Sequence, residues 1–138
     1  MNWIKRTAPR ASLLSFLLIG ACSPTCEEKI VQEVMSPDGA NKAVVYSSLC
    51  GFNIDYNTQV SILRASEVAE GRSNVFGSNA TGAETARGPF GGPVVSARWL
   101  GSRTLEISYD PAGSEVRTHE RYKDFTIRYR TLAAEELR

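Results

Sequence analysis

The chain has 138 residues, 42% hydrophobic and 22% charged, with 16 Lys and Arg against 15 Asp and Glu for a formal net charge of +1. That length holds one small domain with a single core. No concentrated basic run marks a nucleic-acid surface, and one histidine and three cysteines leave little for metal or nucleophilic chemistry.

The chain opens with Lys5, Arg6 and Arg10, followed by an apolar stretch from Ala11 to Ala21. This stretch is about half the ~20 residues that a membrane-spanning helix needs, so it reads as a signal peptide over 1–21. The stretch ends in Ile19-Gly20-Ala21-Cys22. In this it resembles the leader of a bacterial lipoprotein, whose lipobox ends at the cysteine that takes the lipid. Gly20 and Ala21 suit a protease subsite that admits only small side chains, while Ile19 stands where Leu is commonest. The resemblance implies cleavage before Cys22, acylation of Cys22 and a lipid anchor in the membrane. Because Ser23 and not Asp follows the cysteine, it also implies passage to the outer membrane with the domain facing the periplasm. Several acyl chains act together as a strong anchor, at about 0.8 kcal/mol per buried methylene. The alternative is an ordinary cleaved secretory signal with an incidental cysteine.

Cleavage at that point removes three basic residues and leaves 117 residues with 13 Lys and Arg against 15 Asp and Glu. With Cys22 assigned to lipid, Cys26 and Cys50 remain as an even pair in an oxidising compartment, and a disulfide is expected. A redox thiol pair or a metal site is the other reading. The spacing is not Cys-x-x-Cys and His119 is far along the chain, so neither a metal nor another cofactor is expected.

Residues 22–28 read as a lipidated polar tether, and 29–130 as the β domain. Ile30 to Met35 and Ala40 to Leu49 flank Ser36-Pro37-Asp38-Gly39, a strong hairpin signal: Pro presets the first turn position and Gly accepts the left-handed one. Cys50 to Asn53 is a turn. Thr58, Val60 and Ile62 then alternate with Gln59 and Ser61 as a third strand. A glycine-rich loop follows over 71–93, with Asn74-Val75-Phe76 as a short edge strand inside it. Loops of this length tend to be functional or disordered.

Val95, Ala97 and Trp99 alternate before Gly101, and Leu105, Ile107 and Tyr109 alternate after it. A three-residue loop, Gly101 to Arg103, pairs Trp99 with Leu105, Ala97 with Ile107 and Val95 with Tyr109, and sets Arg98 opposite Glu106. A two-residue Gly-Ser turn would mix the faces. Asp110 to Gly113 is a turn, the form around Val116 is open, and Phe125, Ile127 and Tyr129 alternate with Thr126, Arg128 and Arg130 in a final strand. Residues 131–138 form a C-terminal tail, with Leu132 to Leu137 as a helical turn. The whole is mainly β, a small antiparallel sandwich or barrel of about seven strands.

Ser36-Pro37-Asp38-Gly39, Ala43-Val44-Val45, Cys50-Gly51 and Gln59-Val60-Ser61-Ile62-Leu63, with Trp99-Leu100 and Arg103 to Ile107 after them, resemble a group of short uncharacterised bacterial envelope proteins. That resemblance covers most of 30–109 and implies an architecture, not an activity. The hairpins are also similar to those of β-propeller blades, but the chain is too short for a propeller.

No Gly-x-Ser-x-Gly elbow, Ser-x-x-Lys box or His-Glu-x-x-His helix occurs. His119 sits among charged neighbours as a solvated side chain. Asp38 and Asp110 are explained by local turn bonding, and Asp55 and Asp124 are single carboxylates with no visible partner. A carboxylate pair that meets only in the fold stays open as a glycosidase reading, but the expectation is a protein without catalytic residues. Two functions follow: a binding or scaffold module held at the membrane for an envelope protein or polymer, and an inhibitor of a periplasmic hydrolase, similar in size and compartment to the lipoproteins that block lysozymes. The candidate contact residues are Phe76, Arg87 and Phe90 in the glycine-rich loop, and the basic face of the last strand. The alternative for the aromatics is that they close the end of the core.

Overall fold

The computed structural model describes residues 26–50, 56–80 and 84–138. The signal peptide, Cys22, the first part of the tether, the turn after Cys50 and Asp55 lie outside the described residues.

Nine strands are described: β1 (Cys26–Met35), β2 (Asn41–Cys50), β3 (Asn57–Arg64), β4 (Phe76–Asn79), β5 (Val95–Gly101), β6 (Thr104–Tyr109), β7 (Ser114–Thr118), β8 (Arg121–Tyr122) and β9 (Phe125–Thr131), followed by a 3-10 turn over Ala134–Leu137. They form a five-stranded sheet in the order β1-β2-β3-β4-β7 and a four-stranded sheet in the order β5-β6-β9-β8. The sheets face each other as a sandwich and do not close into a barrel. One core lies between them, built from Val45, Val60, Ile62 and Phe76 on one side and Ala97, Leu105, Ile107 and Ile127 on the other. Period-two alternation puts these side chains on the inner faces.

The Ser36–Gly39 hairpin forms as expected. Gly39 takes φ +70°, its N–H bonds Ser36 C=O at 2.8 Å, and Ser36 Oγ accepts Asn41 N–H at 3.0 Å. β1 begins at Cys26, so the strand takes in residues read as tether. It carries a bulge between Ile30 and Gln32.

The β5–β6 register is the expected one: Val95, Ala97 and Trp99 face Tyr109, Ile107 and Leu105, and Arg98 faces Glu106. The connection differs. Gly101 pairs with Thr104 and the register shifts between Trp99 and Gly101, so Ser102-Arg103 is a two-residue turn and Leu100 is bulged. The bulge restores the face that a simple two-residue turn would have lost.

Two features depart from the sequence reading. The strand expected at 74–76 on an edge is β4, which starts two residues later at Phe76, and it lies between β3 and β7. And β6 pairs with β9 in parallel, so the second sheet is mixed. The chain makes that pairing by inserting β7 into the opposite sheet before returning through β8.

At the edges where the sheets meet, Gln32 Oε1 accepts Ala97 N–H at 2.9 Å, and Trp99 Nε1 donates to Val34 C=O at 3.0 Å. Side chains thus complete the hydrogen bonding that a neighbouring strand would otherwise supply.

Candidate functional site

The outer face of the five-stranded sheet is polar at the end that carries the disulfide. Cys26 and Cys50 stand directly opposite each other across β1 and β2 and are bridged. Outward alternation brings Ser48 of β2, Asn57 and Gln59 of β3, Gly77 and Asn79 of β4 and Arg117 of β7 onto one face, in two adjacent cross-strand rows. Together with Gly71 and Arg72, which rise beside them, they line a groove of about 560 Å³.

The wall of this groove is the segment after β3, and side chains stitch it to the sheet. Glu28 Oε1 accepts Gly71 N–H at 2.9 Å and lies 3.2 Å from Ser48 Oγ. Gln59 Oε1 accepts Ser73 N–H at 2.7 Å. Asn74 mimics a strand, accepting Ile62 N–H at 2.9 Å and donating to Ile62 C=O at 2.8 Å. Beneath the segment, Tyr46 Oη donates to Gly71 C=O at 3.2 Å, and burial raises the pKa of this phenol against the lowering effect of Ser61.

Arg117 is placed by two features. Its Nη2 donates to Ser73 Oγ at 2.6 Å, with Ser73 C=O at 3.3 Å. Its cross-strand partner is Gly77, where a Cβ would approach Nη2 to 3.2 Å. Glycine therefore lets the guanidinium lie across the groove floor. Among the described residues, Arg117 and Arg72 give the lining two guanidiniums and no carboxylate. The groove can bind and orient a polar, negatively charged group. Among the described residues, no group of three or more His, Cys, Asp or Glu is placed to hold a metal.

The contact residues read from the sequence are not brought together here. Phe76 is 0% exposed and packs in the core, with ring centroids 5.3 Å from Tyr109 and 6.1 Å from Tyr129. It cannot be a surface contact, because β4 is an interior strand and turns Phe76 inward. Arg87 is exposed, its guanidinium 5.4 Å from the Tyr56 ring centre and its Nη1 donating to Gly91 C=O at 2.9 Å. Phe90 is 37% exposed beside a small apolar hollow near Val31 and Pro93. Residues 84–93 are folded against the start of β3: a Cβ at Gly92 would come 2.3 Å from Asn57 C=O, and one at Gly91, φ +80°, would strike the Tyr56 ring. The glycines there serve close packing.

Other expectations are refined. Asp110 is buried and reaches beyond its turn, accepting Ala86 N–H at 2.7 Å as well as Ala112 N–H at 2.9 Å. Asp124 has a partner, Arg103 Nη1 at 2.8 Å. On the last strand Arg130 is engaged by Glu136 at 3.0 Å, while Glu106 between the strands is held below the usual carboxylate range chiefly by its hydrogen bond from Arg98. His119 is exposed. Sequence reasoning missed Arg72 and Arg117. The one available signal was Ser73-Asn74 ahead of the short strand, polar residues suited to tying a loop onto a sheet.

Comparison with protein-family models, curated proteins and solved structures finds no match for this chain.

Proposed function

We propose that this chain is a lipoprotein of the bacterial envelope, anchored through acylated Cys22 in the outer membrane and facing the periplasm. Its β-sandwich acts there as a non-enzymatic binding or scaffold module for an envelope protein or polymer. The observation that carries the reading is the Cys26–Cys50 bridge, which begins four residues after the lipobox cysteine. Disulfides persist in oxidising compartments, and this one clamps the first hairpin at the end where the anchor enters. The side chains lining the groove, amides and guanidiniums, are groups that hold a ligand.

Fractionation tests the reading. The wild-type protein is expected in the outer-membrane fraction, and Cys22→Ser is expected to leave it. Wild-type protein recovered in the soluble periplasm would overturn the anchor.

A second reading, inhibition of a periplasmic hydrolase such as lysozyme, is supported by Arg87 and Phe90, exposed together on the loop over β3. Protection of a lysozyme that Arg87→Ala and Phe90→Ala abolish would favour it over the scaffold.

A further inference from the structure

We propose that the groove beside the Cys26–Cys50 disulfide binds a short acidic peptide segment, whose carboxylate is received by Arg72 and Arg117. The proposal rests on the reading of the sandwich as a binding module and names the ligand of that module.

Size comes first. The groove runs across the outer face from β2 to β7, three inter-strand steps in the sheet order. At about 4.8 Å per step this is about 14 Å, the length of about four extended residues. A volume of about 560 Å³ is within the range of ligand sites.

Charge comes second. Among the described lining residues both ionisable side chains are arginines, and Glu28, the carboxylate that ties the wall to β1, is already bonded to Gly71 N–H and near Ser48 Oγ. Arg117 spends one terminal nitrogen, Nη2, on Ser73. Its fork is thereby oriented before any ligand arrives, and the remaining donors match a planar carboxylate. Arg72 is exposed on the wall above.

The remaining lining selects among anions. Asn57 bonds both the N–H and the C=O of Ser48, and Gln59 Oε1 accepts Ser73 N–H, so the floor beside the arginines is set before a ligand arrives. Among the described residues no Phe, Tyr or Trp lines the groove, so they offer a sugar ring no face to stack on. Nor do the described residues bring a lysine or a helix N-terminus there, the usual supplements for a phosphate dianion.

The test is calorimetric titration of the full-length lipidated protein in detergent with the blocked tetrapeptide Ala-Glu-Ala-Glu and its glutamine counterpart. The glutamate peptide is expected to bind at least about tenfold more tightly, because charge-assisted bonds exceed neutral ones. Arg72→Ala is at an exposed position and should fold; it is expected to weaken binding about tenfold. Arg117→Lys keeps the charge but loses the fork, and should weaken it similarly. Equal affinity for the two peptides, or no binding of either, overturns the proposal. Glutamate binding that ignores both arginine variants places the ligand elsewhere, which overturns the groove but leaves the binding-module reading intact. Displacement of the peptide by an equal concentration of inorganic phosphate overturns the peptide class in favour of a phosphate site. Membrane fractionation of the same preparation reports on the anchor separately.

Discussion

Glu28 Oε1 accepts the Gly71 backbone N–H at 2.9 Å, joining residues 43 positions apart. One partner lies on the strand that leads from the proposed anchor, and the other is the first residue of the groove wall. Ser48 Oγ lies 3.2 Å from the same oxygen, so one carboxylate links β1, β2 and the wall. The edge strand β1 thereby helps to position the surface proposed to bind.

Replacing Glu28 should loosen this wall more than the sandwich. Glu28→Ala is expected to cost about 1 kcal/mol of global stability. It should speed hydrogen exchange at the Gly71 and Ser73 amides about tenfold, and Glu28→Gln, which retains an acceptor, should recover most of that protection. Exchange unchanged at Gly71 would show that the wall is held by other bonds.

The disulfide closes a separation of 24 residues. In the chain-entropy model such a loop contributes about 3 kcal/mol by restricting the unfolded state. The double variant Cys26→Ser, Cys50→Ser is therefore expected to unfold at lower urea, with a fall of that order in unfolding free energy. A fall below about 1 kcal/mol would make the bridge dispensable to the fold.

Gln32 covers the free edge of β5. Ala97 is 3% exposed, so removing the acceptor from its N–H leaves a buried donor unpaired. Gln32→Leu is expected to cost about 1–3 kcal/mol and to promote edge-to-edge association. Urea unfolding and light scattering read the two effects separately.

The alkaline limit of stability should depend on Tyr129. Burial pushes its phenol up to about 12, against about 10 in an unfolded chain. Its Oη accepts His119 N–H at 2.9 Å and lies 2.8 Å from His119 C=O. The folded state thus holds the phenolic proton more tightly than the unfolded state does. The resulting stabilisation is complete below about pH 10 and is lost as the pH rises through about 12. Tyr129→Phe should lower stability at pH 8, where its hydrogen bonds are missing, yet show a smaller further loss between pH 8 and pH 11. Tyr46, also raised by burial, keeps part of that slope in place. An unchanged slope would contradict the assignment.

What could be read from the sequence was local and periodic. The Trp99↔Leu105 and Ala97↔Ile107 pairs follow from apolar residues on one face, because a one-residue slip would expose them. The Ser36–Gly39 turn follows from side chains that specify their own backbone angles. The strand β7 was hidden because its one large apolar residue, Val116, is 37% exposed and gives no inward alternation. The parallel β6–β9 pairing was hidden because no local pattern chooses a partner across the two intervening strands, β7 and β8. Leu100 bulges for a reason invisible to alternation, namely to reconcile a tight turn with the correct face. The groove was hidden for the same kind of reason. Arg117 meets Ser73 across 44 positions only because β7 is placed beside β4, and Gly77, one of the glycines of the 71–93 stretch, clears space for a guanidinium that no local pattern announces. Phe76 takes the alternative given for it and packs in the core; that its strand is interior and not an edge depends on β7, which no local pattern announces.

The most direct measurement is the intact mass of the protein extracted from its native membrane fraction, before and after reduction. The account predicts a chain beginning at Cys22 with the mass of its acyl groups, and a gain of two hydrogens on reduction as the Cys26–Cys50 bridge opens. An unacylated mature chain with a free thiol at Cys22 would contradict it.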